Sequence, residues 1–147
     1  MKVNIKQKEG FEDLGFPKYG TEGSAACDLM AAIDEPVTIK PGETAFIPNG
    51  IFVEVPEGYL MHVTPRSGLA VKHGISIVNS PGIVDSDYRG ELKTILVNLG
   101  KEDFVIERGD RIAQGSFVKV EQADWNKVEE LSDTSRGEGG FGHTGHK

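Results

Sequence analysis

The sequence predicts an all-β fold, a distorted jelly roll or β-barrel-like body with one short helix and a flexible C-terminal arm. Three observations carry that expectation. The 19 glycines and 7 prolines among 147 residues separate short β-branched runs and leave no long stretch with a helical period. Within the runs apolar residues alternate: Ile51, Val53 and Val55 fall on one side and Phe52 and Glu54 on the other, the period of a half-buried strand. A chain of about ten short strands must also manage its edges, which a barrel or double sheet does by wrapping.

Taken in order, the strands are expected at 3–6, 28–32, 37–39, 44–48, 51–55, 59–64, 75–79, 91–99, 104–106 and 111–120. The segments Lys40-Pro41-Gly42-Glu43, Pro56-Glu57-Gly58, Gly100-Lys101-Glu102-Asp103 and Arg108-Gly109-Asp110 supply the residues tight turns need. Only 67–73 reads as helix. The stretch 124–131, with Trp125, Val128 and Leu131 spaced by three, fits either a helical turn or an extended docking strip. After Leu131 the composition turns to glycine, serine and charge with one large apolar residue, Phe141. The expected division is therefore a β domain over 1–131 and a glycine-rich arm over 132–147.

Composition narrows the function. Apolar residues make up 37% and charged residues 27% of the chain, an ordinary globular balance. No run of about 18 apolar residues exists and the N-terminus lacks the apolar stretch of a signal peptide, so a cytoplasmic location is expected, or the interior of a host cell if the source is viral. The net charge of -7 argues against nucleic acid polymer and membrane as partners. A single cysteine, Cys27, excludes an internal disulfide and a multi-cysteine zinc site.

Three segments carry chemistry. Pro65-Arg66-Ser67-Gly68-Leu69-Ala70 joins a strand to the helical turn and sets a guanidinium, a hydroxyl and helix N-terminal amides together, a combination suited to phosphate. Its structural alternative is a helix cap by Ser67. The segment Asn79-Ser80-Pro81-Gly82-Ile83-Val84-Asp85-Ser86-Asp87-Tyr88-Arg89-Gly90 reads as a hairpin-like loop bearing an amide, two carboxylates and a phenol. Asp85 or Asp87 could orient or deprotonate a water beside a polyphosphate; both fit exposed turn positions equally well. In the arm, Arg136 offers a bidentate phosphate contact, the glycine amides an anion nest, Phe141 a stacking face and Thr144 a hydroxyl. Gly137, Gly139 and Gly142 formally match a dinucleotide fingerprint, but neither the strand nor the helix that motif requires flanks them.

Five segments in order, 25–29, 65–70, 79–90, 108–114 and 136–145, resemble the five motifs of the trimeric dUTPases, and the likeness spans nearly the whole chain. The resemblance implies a jelly-roll homotrimer with shared active sites that uses Mg²⁺ to convert dUTP to dUMP and pyrophosphate, keeping uracil out of DNA and supplying dUMP for dTMP synthesis. It makes Asp85 the base that activates water for in-line attack on the α-phosphorus. Asn79 and the hairpin backbone, including Gly82 and Val84, would read uracil, and Tyr88 would pack under the deoxyribose. Arg66, Ser67, Gly68 and Gln114 would hold phosphates. Arg136, Phe141, Gly142 and Thr144 would cover the γ-phosphate and base from a neighbouring subunit, and Asp28 would assist the metal through water. Three positions depart from the family's usual pattern: Ala26-Cys27, Lys93 and Gly115. A dCTP deaminase relative and a nucleotide-sensing module without catalysis are the competing readings. The Asp-Ser-Asp-Tyr-Arg-Gly hairpin and the arm speak against the first, and intact Asp85 and Ser67 against the second.

Overall fold

The computed structural model describes residues 1–140; the arm positions Phe141, Gly142 and Thr144 lie outside the described residues. Strands β1 (Asn4–Gln7), β2 (Cys27–Met30), β3 (Val37–Ile39), β4 (Thr44–Pro48), β5 (Ile51–Glu54) and β6 (Tyr59–Thr64) precede the helix α1 (Ser67–His73). Strands β7 (Ile75–Ile77), β8 (Gly82–Val84), β9 (Lys93–Asn98), β10 (Phe104–Ile106) and β11 (Arg111–Lys119) follow it. The expected strands are all present, half of them slightly shortened. A 3-10 turn, Glu12–Leu14, and strand β8 were not foreseen. Three residues between Pro81 and Asp85 are too few to display an alternation.

The strands form a four-stranded sheet in the order β2-β11-β6-β8, a three-stranded sheet β4-β9-β7, and the pairs β1-β5 and β10-β3. All ladders are antiparallel. Alternate residues of each strand turn into one core, where Leu29, Ile39, Ile47, Met61, Ile75, Leu96, Ile106 and Ile112 are almost fully enclosed. Each such side chain contributes about 1.5–3 kcal/mol through burial. Buried polar groups serve as ties. Asn98 donates to the carbonyls of Ile39 and Glu102, both at 2.8 Å, and its Oδ1 accepts the amide of Gly100 at 2.9 Å. Thr94 donates to Asn49 Oδ1 at 3.0 Å, and Asn49 donates to the carbonyl of Met30 at 2.9 Å.

The turn between β3 and β4 shows how sequence sets a connection. Pro41 favours the first central position and Gly42 takes φ +81°, closing an amide of Glu43 onto the carbonyl of Lys40 at 2.9 Å. Beyond β11 the chain leaves the body. Residues 121–140 form neither helix nor strand, so the helical option for 124–131 is not realised, and Trp125 and Leu131 are 91% and 88% exposed.

Candidate active site

The four-stranded sheet builds one polar cluster. Register places Asp28 on β2 beside Gln114 on β11, and Gln114 beside Thr64 on β6, so the three form a row across the sheet. β6 then runs through Pro65 to Arg66, Ser67 and Gly68 at the start of α1. No side chain caps α1, and Ser67 is its exposed first residue. The capping role open to Ser67 is therefore not the one it plays. The amides at the start of a helix have no intrahelical partner and remain available to an acceptor.

Asp28 is the electrostatic centre of the cluster. Its side chain is 15% exposed and opposed by two guanidinium groups: Arg66 Nε lies 3.1 Å from Oδ1 and Arg111 Nη1 donates to Oδ2 at 3.1 Å. The Arg66 approach is an ion pair without hydrogen-bond alignment, which leaves Asp28 Oδ1 and Arg66 Nε buried with no hydrogen bond. Arg66 Nη1 also donates to the carbonyl of Arg111 at 2.9 Å. Two cations against one carboxylate, beside exposed amides and a hydroxyl, suit a polyanion. Arg111 is the member that sequence reasoning missed as a site residue. Its signal was present in the Arg108-to-Gln114 motif, but only strand pairing shows that it meets Asp28.

The hairpin forms a second cluster. β8 pairs with β6 through Met61 and Val84, His62 and Ile83, and Val63 and Gly82. Gly82 is buried, and a methyl there would lie 3.4 Å from both Asn79 Nδ2 and Val63 Cβ, which places the Asn79 amide beside β8. Val84 is buried, while Asp85 after it is exposed. Asp85 lines a cleft of about 570 Å³ together with Glu57, Ser86, Asp87 and Gln122. The carbonyl of Asp85 accepts the amide of Tyr88 at 3.2 Å, and Tyr88 donates its hydroxyl to the carbonyl of Glu91 at 3.1 Å. Tyr88 remains 45% exposed. Glu91 is in turn held by Lys8 Nζ at 3.0 Å.

Within one chain Asp85 stands apart from the Arg66 cluster, although the Gly82 end of the hairpin runs beside Val63, close to it. Antiparallel pairing puts Asp85 next to the start of β6, whereas Arg66 lies beyond its end. Asp85 falls opposite Leu60, so at about 3.3 Å per residue its separation from Arg66 along the strand is roughly 20 Å. Arg136 joins neither: its Nε donates to the carbonyl of Gly139 at 2.7 Å, within the arm itself.

The departures from the family pattern have local explanations. Gly115 pairs across the sheet with Cys27, and Cys27 Sγ donates to the carbonyl of Gly115 at 3.4 Å. The methyl end of Met61 fills the space a side chain at Gly115 would occupy. Burial, the largest influence, pushes the Cys27 thiol above its usual pKa, which favours the inert thiol over the thiolate. Lys93 lies on β9, exposed, with its Nζ 5.0 Å from the ring centre of Phe46.

A profile of the dUTPase family matches residues 12–145. The chain belongs to the dUTPase family. Deoxyuridine 5'-triphosphate nucleotidohydrolase of Rickettsia felis is 54% identical over 143 residues, covering 97% of this chain and 96% of the relative. The Fusobacterium nucleatum protein of the same name is 53% identical over 145 residues, covering 99% and 97%. A variant of the dUTPase of Staphylococcus bacteriophage 80alpha, solved with dUpNHpp, superposes with a TM-score of 0.83 at 28% identity, over 98% of each chain. The dUTPase of phage phi11 of S. aureus, whose structure concerns a structural Mg(II) ion, shares the fold with a TM-score of 0.79 at 23% identity, over 89% of this chain and 99% of that one. This dUTPase is thus a hydrolase of nucleotide metabolism with the mostly β architecture its sequence predicts.

Proposed function

We propose that this dUTP nucleotidohydrolase works at composite sites in a homotrimer, where the Asp28, Arg66, Ser67, Gly68 and Gln114 cluster of one subunit meets the Asn79-to-Tyr88 hairpin of the next. The observation that carries the reading is the separation of Asp85 from Arg66 along β6: one chain holds both groups, at positions too far apart to act together on one triphosphate. Association by rotation brings an Asp85 to a neighbour's Arg66 without any change of fold. The exposed outer face of the three-stranded sheet supports association as well, with Phe46 61% and Val78 55% exposed. So does the segment 121–140, whose Trp125 and Leu131 find no cover in their own subunit.

In this arrangement the arginines and Gln114 hold the phosphate chain with the amides of Ser67 and Gly68, Asn79 and the hairpin backbone at Gly82 and Val84 read the uracil edge, and Tyr88 supports the deoxyribose. Backbone groups matched to uracil are left unpaired by cytosine, and unpaired buried polar groups are costly. Asp85 accepts a proton from a water lying in line with the bond from the α-phosphorus to the oxygen bridging to the β-phosphate. The water oxygen bonds to phosphorus as that bond breaks, giving dUMP and pyrophosphate.

The donor set fits Mg²⁺ held mainly by phosphate oxygens and water. Among the described residues no group of three or more His, Cys, Asp or Glu side chains gathers as a metal site, and both oxygens of Asp28 already face guanidinium groups. Asp28 would hold such an ion through water rather than directly. Such an ion neutralises charge on the phosphates. Arg136, Phe141, Gly142 and Thr144 of the arm would close over the γ-phosphate and base.

The direct test is Asp85→Asn. Pyrophosphate release from dUTP with Mg²⁺ is expected to fall by at least about a hundredfold with the fold unchanged. A rate close to wild type would remove Asp85 from the mechanism.

A further inference from the structure

We infer that Gly90 is a specificity-determining position: the bare Cα of Gly90 and the carbonyl of Glu91 together form the seat that sets the plane of the Tyr88 ring. The inference rests on the reading of Tyr88 as the support for the deoxyribose. Gly90 is outside the positive-φ positions of this chain, so its backbone conformation is one that any residue adopts. What excludes a side chain is the tyrosine. A methyl at Gly90 would fall on the hydroxyl and Cζ of Tyr88, and within 2.9 Å of its Cε2.

The backbone around the ring has little freedom to absorb such a change. The amide of Tyr88 is bonded to the carbonyl of Asp85 at 3.2 Å, and Arg89 Nη1 donates to the carbonyls of Ser86 at 2.7 Å and Tyr88 at 3.0 Å. Arg89 Nη2 is itself anchored 3.3 Å from Glu54 on β5. Beyond the ring, Glu91 is fixed by Lys8, and its carbonyl takes the tyrosine hydroxyl at 3.1 Å. The softest response to a methyl at Gly90 is therefore rotation of the ring about its own side-chain torsions, away from the hairpin and toward its exposed side.

That rotation bears on sugar selection. A ring lying flat beneath a deoxyribose excludes a 2′-hydroxyl by contact, and a tilted ring loses both the contact and the exclusion. Gly90 and Glu91 act through Tyr88 and are positioning residues.

A double-mutant cycle over Gly90→Ala and Tyr88→Ala, read as the ratio of kcat/KM for dUTP to that for UTP, tests the inference. Gly90→Ala is expected to lower the ratio about tenfold, mainly through a higher KM for dUTP, and to lower it no further in the Tyr88→Ala background. An unchanged ratio in Gly90→Ala, or an equal fall with and without Tyr88, would overturn the inference while leaving the sugar-support reading intact. A Tyr88→Ala protein with the wild-type ratio would overturn that reading and the inference with it. Where Gly90→Ala does not fold, Tyr88→Phe carries the test: it keeps the ring and loses the bond to Glu91, and a ratio equal to wild type would show that this seat does not set the plane.

Discussion

A side chain at Gly115 would have to displace the methyl end of Met61, buried on the neighbouring strand β6. The pair packs β11 against β6, next to Gln114. Gly115→Leu is expected to lower stability by about 1–3 kcal/mol in thermal or denaturant unfolding, the usual cost of overpacking. Adding Met61→Ala should recover part of that loss, making the two changes non-additive. A second residue-scale device lies at the barrel wall. Arg108 forks onto Asp13 at 2.7 and 3.2 Å, with Nη2 also donating to the carbonyl of Gly10 at 2.7 Å, and its guanidinium stacks 4.3 Å from the Phe11 ring centre. The hydrogen bond from Arg108 holds the Asp13 carboxyl below its ordinary range. A depressed pKa contributes stability that is present above the unfolded carboxylate value of about 4 and is lost as pH falls through the folded one. Unfolding temperatures compared between pH 7 and pH 3 should therefore drop less in Asp13→Asn than in wild type. The pair is exposed on the Asp13 side, so the difference will be small.

Strand-length elements were legible wherever an alternation ran long enough or a turn carried its own chemistry. The 51–55 alternation, the Pro41-Gly42 turn and the helix at Ser67–His73 are such cases. β8 was not legible, because Gly82–Val84 is a strand only by virtue of pairing with β6, a tertiary fact. The same holds for the site. The residue types of the hairpin and the Arg66 loop announced phosphate and water chemistry, but the pairing of Arg111 with Asp28 depends on which strands become neighbours. The arm is separable on this view: its described part, through Gly140, makes its Arg136 contact within itself. Truncation after Leu131 should leave the unfolding temperature within about 2 °C of wild type, since surface segments contribute little. Turnover of dUTP should fall sharply, because the arm's cation and aromatic ring are then missing from the closed site. Full activity in the truncated protein would show that the arm plays no part in catalysis.

For the whole molecule, the decisive observation is that Asp85 and Arg66 lie toward opposite ends of β6. Sequence order hides this, since the chain after Arg66 returns beside β6 and carries Asp85 back toward the start of that strand. In the proposed trimer each interface completes a site, and an isolated chain completes none. Co-expression of two inactive variants measures this directly. Asp85→Asn retains the phosphate cluster and lacks the base; Arg66→Lys with Ser67→Ala keeps a cation beside Asp28 and lacks the phosphate fork and hydroxyl. In randomly mixed trimers about one site in four should unite an intact Asp85 with a neighbour's intact phosphate cluster, restoring about a quarter of wild-type pyrophosphate release. Activity no greater than that of the two variants assayed separately would contradict the composite site.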